Sequence, residues 1–138
     1  MKFVDPLPSS DFARALAAAD ILLVNERPGF VEMAVPSKLT SYFSSGTPVV
    51  AATDWRSTTA AEVAAAQAGE IVPPGDPEAL LAKILELRSD PARARGLGAN
   101  GPGFVERVLR RDTALTAYEE WVHQLVERRR RRSGESRA

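Results

Sequence analysis

Apolar positions along this chain follow two rhythms, short unbroken runs and stripes spaced three and four residues apart. Ser10 precedes an alanine-rich segment, Asp11–Ala19, in which Phe12 and Leu16 lie one helical turn apart, and this predicts a helix. Ile21-Leu22-Leu23-Val24 is too short for a helix and apolar at every position, the pattern of a strand buried on both faces. Residues 25–35, with Pro28 and Gly29, read as a loop. A second helix starts at Pro36, places Leu39 and Phe43 on one face, and stops at Gly46. Pro48–Ala52 is the second strand. Thr59 and Glu62 have capping-box spacing ahead of an alanine-rich helix that is predicted to end near Gly69.

The second half continues the alternation. Glu70-Ile71-Val72 predicts a third strand, broken by Pro73-Pro74-Gly75. Asp76 caps a helix with Pro77 at its first position, and Leu80, Ile84 and Leu87 form its apolar stripe, widened by Leu81 and Leu85. Ser89-Asp90-Pro91 starts a short helix that Asn100-Gly101-Pro102-Gly103 is expected to end. Asp112 opens a last helix, with Leu115, Tyr118, Val122 and Leu125 at helical spacing.

Strands that alternate with helices across short turns predict an α/β fold with a parallel sheet of three or four strands. Ligands in such sheets bind beyond the carboxyl ends of the strands, which here selects loops 25–36, 53–58 and 73–76. The first is the longest and the best equipped, with Glu26, Arg27, Gly29, Phe30 and Glu32 ahead of Ser37 and Lys38. Backbone N–H groups at the start of that helix, its dipole and the lysine make a seat for phosphate. Ser37 also suits a capping role, and Gly29 a turn.

Composition narrows the class. The 138 residues are 44% hydrophobic and 26% charged, as in ordinary globular domains, and no apolar run is long enough to span a membrane. Lys2 is followed by Asp5 and prolines rather than an apolar stretch, so no signal peptide is expected. The absence of cysteine excludes disulfides and thiolate metal sites and fits a reducing cytoplasm. A net charge of zero conceals an asymmetry: residues 128–138 hold six arginines and one glutamate, against 12 basic and 17 acidic residues before them. This predicts a body over residues 1–126 and a basic, disordered tail over 127–138, whose charge suits contact with anionic lipid or nucleic acid, although no nucleic-acid partner is expected. His123 is the single histidine and lies far along the chain from the loops. No metal-ligand or nucleophile motif is present.

The segments AADILLVN, VPSKLTSYFSSGTPVVA and QAGEIVPPGDPEALLAKILELRSDPARARGLGANG, with the Tyr118–Val126 helix, resemble the donor-binding domain of glycosyltransferase family 4. The likeness spans about residues 15–126, and within the family the colanic-acid type is the most similar. It implies the second half of a GT-B C-terminal domain, with Rossmann-like layers. It also implies transfer of a sugar from a UDP-, GDP- or ADP-sugar donor to an acceptor, without a metal or other cofactor, in cell-surface polysaccharide assembly.

By the same resemblance, the helix start beside the donor diphosphate corresponds to Ser37 and Lys38 with backbone N–H groups through Leu39 and Thr40. The family's ribose-binding glutamate falls at Ser41 and its paired acid at Met33, so Glu32, with Glu26 behind it, is the nearest carboxylate. Lys38 and Glu32 are the catalytic candidates. A full enzyme of this type also has an N-terminal acceptor domain, so the resemblance implies a fragment, a truncated reading frame or one half of a split enzyme with a separate GT-B N-terminal half as partner. A non-enzymatic nucleotide-binding subunit, an inactive remnant with an unpaired sheet edge, and a nucleotide-sugar epimerase are the other readings.

Overall fold

The computed structural model describes residues 3–29 and 37–135, which divide into two compact units, residues 1–105 and 106–138. The first unit is built on three parallel strands: β1 (Leu22–Asn25), β2 (Val49–Ala52) and β3 (Gly69–Val72). Their order is β1-β2-β3, with Leu23 opposite Val50 and Val50 opposite Glu70. The central strand is the one buried at all four positions, in keeping with its apolar sequence VVAA.

The outer strand β1 departs from expectation. Leu22 and Val24 are buried, but Leu23 is 45% exposed and Asn25 is exposed. The run Ile21–Val24 is therefore covered on one face, because the helix that covers the other face reaches only the neighbouring strands. That helix, α4 (Pro77–Ser89), packs on β2 and β3. Side chains alternate along a strand, so Val50, Ala52 and Val72 share one face, where they meet Leu87, Leu80 and Ala79 of α4. Leu87 is buried, whereas Leu81 and Leu85 point to solvent and do not widen the stripe. Asp76 caps α4 as predicted, accepting from the Ala79 N–H at 2.9 Å.

On either side of these strands stand α1 (Ser9–Ala17), α2 (Ser37–Ser44) and α3 (Thr58–Ala66). Helix α1 starts two residues earlier than predicted, after Pro8 rather than from a Ser10 cap, and buries Leu16 while Phe12 stays exposed. Leu39 and Phe43 of α2 are fully buried. The predicted Thr59 cap of α3 is replaced by Ser57, whose Oγ accepts from the Ala60 N–H at 3.0 Å. Helix α3 ends before Gln67, a residue at φ 50°, and Gly69 instead opens β3.

The largest correction concerns α5 (Pro91–Phe104), which runs straight through Gly101-Pro102. These glycines are packing positions rather than stops. A Cβ at Gly101 would sit 2.5 Å from the Phe43 carbonyl oxygen, and one at Gly98 would collide with the Gly46 carbonyl. Both are buried, so the backbones of α5 and α2 touch directly. Phe104 then meets Phe43 edge to face, with ring centroids 5.7 Å apart. Pro102 has no N–H to continue the ladder, and one turn later a π-helical stretch, Val105–Leu109, follows. Asn100 of α5 donates to the Gln67 carbonyl at 2.8 Å, just before β3. Helix α5 thus crosses the N-terminal edge of the sheet and closes it.

The second unit is dominated by α6 (Arg111–Glu135), a helix that continues across the arginine run where composition alone predicts a disordered tail. Its Leu115, Tyr118, Trp121, Val122, Leu125 and Val126 are all exposed.

Candidate donor-phosphate site

With α5 across one end of the sheet, the other end is formed by the loops that leave the three strands, as the parallel topology requires. Gly75 of the loop after β3 is held at φ 77°, and a Cβ there would lie 2.9 Å from Cγ of Pro28. The exits of β1 and β3 therefore touch. Pro28 and Gly29 form a turn, and Gly29 takes the left-handed conformation at φ 87° with open space around it, which assigns it a backbone role.

Glu26 was expected to face a ligand, and the structure gives it another task. Its carboxylate accepts from the hydroxyls of Thr53 and Thr59, one at each oxygen. Thr53 has thereby committed its proton, so at 2.7 Å the Ser57 hydroxyl donates to Thr53 Oγ1. Thr53, Ser57 and Thr59 are all buried. Glu26 is thus a bolt between the end of β1 and the start of α3, and its two oxygens are already occupied. Periodicity could not have revealed this, because the partners lie 27 and 33 residues away.

The α2 residues divide by face. Ser37, Lys38, Thr40 and Ser41 are exposed, while Leu39 sends its side chain into the core and leaves only its backbone for a ligand. Arg27 is exposed at the exit of β1. Phe30 and Glu32, like Met33 and Pro36, lie outside the described residues.

The loop after β2 holds a feature that the sequence reading missed. Asp54 accepts from the Arg56 N–H at 2.9 Å and from its guanidinium at 3.0 and 3.1 Å. Those hydrogen bonds from Arg56 hold the Asp54 carboxyl at about 2, below its ordinary value. An aspartate two residues before an arginine in a turn is the available signal, because the side chain mimics a turn hydrogen bond. Arg56 and the adjacent Trp55 are both exposed at this edge.

The sequence matches the family described as Glycosyl transferases group 1 over residues 1–90. The chain belongs to that family. A solved structure, sucrose-phosphate synthase from Thermosynechococcus elongatus, is similar to this group 1 glycosyltransferase chain with a TM-score of 0.73 and 27% identity. The match covers 91% of this chain and 30% of that one, so the chain spans about a third of the solved structure's length. Among curated proteins, none matches. The mixed α/β layers with a parallel sheet are those of a GT-B glycosyltransferase fragment. No helix among the described residues is long and apolar enough to cross a membrane.

Proposed function

We propose that this chain is the nucleotide-sugar-binding half of a family 4 glycosyltransferase of the colanic-acid type. In this reading it takes a sugar from a nucleoside-diphosphate donor during cell-surface polysaccharide assembly on the cytoplasmic side. The observation that carries the reading is the start of α2 at the ligand edge of the sheet, with Ser37 and Lys38 exposed and Leu39 locked in the core. Buried Leu39 and Phe43 fix the helix, so its first N–H groups are held in place before any ligand arrives, with the exposed Lys38 beside them.

The chemistry follows from charge. As the glycosidic bond breaks, negative charge grows on the departing diphosphate. The N–H groups at Lys38, Leu39 and Thr40, the helix dipole and the Lys38 ammonium oppose that charge without calling on a metal. Arg27 and Arg56 add exposed cations at the same edge. Arg56 is the more ordered, because Asp54 grips its guanidinium. Ser41, with Glu32, orients sugar or ribose hydroxyls. Glu26 takes no part in contact and serves to position the exit of β1.

A second reading, a nucleotide-binding subunit completed by a separate GT-B N-terminal half, is favoured by the open side of β1. Leu23 and Ile21 border a groove of about 920 Å³ shared with Ile84, Leu87 and Pro91, at the opposite end of the strands from the phosphate seat. A further strand-and-helix unit beside β1 would extend the sheet and lay its helix over Leu23.

Calorimetric titration of the full chain with UDP, GDP and ADP tests both readings. One nucleotide should bind, and Lys38→Ala should weaken it about tenfold, the loss expected for one charge-assisted contact. A well-folded chain that binds none of the three would defeat the donor-half reading. Binding that arises only when an N-terminal half is added would select the split form.

A further inference from the structure

We propose that the turn after β2, Asp54–Ser57, is a subsite for an uncharged sugar ring, with Trp55 as its stacking face and the Asp54–Arg56 pair as its hydrogen-bonding edge. The Ser57 N–H closes the turn by donating to the Asp54 carbonyl at 2.9 Å. Both ends of the turn are held from beneath. Thr53 gives its proton to Glu26 and accepts from the Ser57 hydroxyl, while Ser57 Oγ accepts from the Ala60 N–H at 3.0 Å. Thr53 and Ser57 are buried, and buried hydroxyls cost stability unless each is paired. Among the described residues every buried side-chain polar atom has a partner. The turn is thus fixed before any ligand arrives, on the supporting layer that a binding site needs. What it displays does little for the fold. Trp55 is 65% exposed, so most of its indole is withheld from the core. The Asp54–Arg56 pair, with the arginine side chain 78% exposed, contributes little to stability in water.

The chemistry of the turn selects the ligand. The formal charges of Asp54 and Arg56 cancel, so the turn is a weaker seat for phosphate than Lys38 and the start of α2. Asp54 Oδ1 accepts from the Arg56 N–H and Nε, and Oδ2 accepts from Nη2. Acceptor capacity therefore remains on the carboxylate and donor capacity at Nη1, within one fixed pair. A hydroxyl both donates and accepts, so two neighbouring hydroxyls can satisfy the pair together. A sugar ring carries such hydroxyls on its edge and apolar C–H bonds on its face, the surface that an exposed indole can cover. Strand β2 is the direct neighbour of β1, so the turn opens one strand, about 5 Å, along the ligand edge from the exit of β1. The ring can belong to a donor or to an acceptor. That choice rests on the glycosyl-transfer reading above, whereas the chemistry of the turn does not.

The test uses the full chain carrying Trp121→Phe, which leaves Trp55 as the sole tryptophan. Its fluorescence is followed during titration with the methyl glycosides of glucose, galactose, mannose and N-acetylglucosamine. Separate arms use UDP, GDP and ADP, and then UDP-glucose, GDP-mannose and ADP-glucose. A saturable change with at least one glycoside is expected, with a dissociation constant of about 1 mM, the order set by a ligand of that size. That result assigns the ring to an acceptor. A change with a nucleotide sugar that its parent nucleotide does not produce assigns it to the donor. Asp54→Asn, read by the same fluorescence, and Trp55→Ala, read by ligand-observed NMR, should each weaken sugar binding about tenfold. Urea unfolding confirms that both variants remain folded. The proposal is overturned if no sugar, free or nucleotide-linked, perturbs Trp55, or if the parent nucleotides alone account for the change. It is also overturned if both variants bind sugar as the unaltered turn does. A glycoside response in a chain that binds none of the three nucleotides would remove the donor-half reading and leave this one standing.

Discussion

Two consecutive helices, α5 and α6, use their sequences in opposite ways. Helix α5 has few large apolar residues, yet it buries Gly98, Gly101 and Phe104 and closes one end of the sheet. Helix α6 has six large apolar residues and exposes every one. Apolar content therefore does not predict which helix belongs to the core. What anchors α5 is the approach of its backbone to that of α2, which only glycine permits, followed by one well-placed aromatic ring.

The sharpest way to break this contrast is Phe104→Ala. Loss of a buried ring against Phe43 should cost about 3–4 kcal/mol in urea unfolding, by transfer and cavity terms together. A cost below about 1 kcal/mol would mean that α5 is held some other way. Next comes Gly98→Ala, one methyl group driven into the Gly46 carbonyl, with an expected loss of about 2 kcal/mol because α5 must lift off α2. A smaller effect is expected at Glu62 on α3. Partial burial raises its carboxyl pKa, so the folded state holds the proton more tightly than the unfolded chain. Its charge thus destabilises at neutral pH, and the penalty fades as pH falls through the folded pKa. Glu62→Gln should stabilise the fold slightly at pH 7, the gain kept small by solvent screening, and should have no effect below the ordinary carboxylate range, read by thermal unfolding at several pH values. Least of all, Trp121→Ser in α6 should change stability by less than about 0.5 kcal/mol. A loss comparable to that of Phe104→Ala would place the stripe inside a packed interface and erase the contrast.

Much of the first unit is legible in the sequence. The central strand, the Asp76 and Asp90 caps and the Leu39/Phe43 face all follow local rules of burial, capping and periodicity. The failures share a cause, since each depends on a partner far along the chain. Gly101-Pro102 reads as a stop until α2 is seen to press against it. Thr59 reads as a cap until Glu26 claims its hydroxyl and Ser57 takes the capping role. Ile21–Val24 reads as doubly buried, whereas α4 covers only the two strands beyond it. For the site, the exposed Ser37-Lys38 start was foreseen from the order of elements. The retirement of Glu26 from the ligand edge was not, because a carboxylate in a loop looks the same whether it greets solvent or two buried hydroxyls. Arg56 escaped notice because its order comes from Asp54, a contact visible only once the turn has closed.

Thr47 carries a further lesson. Its hydroxyl, buried at the entrance to β2, donates to the Leu16 carbonyl at 2.9 Å and so ties the end of α1 to the central strand. Any rearrangement that removes α1, whether a nicked chain, a circular permutation or an exchange of that helix between neighbours, strands this hydroxyl without an acceptor. The replacement segment must then bring a carbonyl to the same spot, or the core must admit a water there. One side chain thus sets the terms on which the amino-terminal helix is interchangeable.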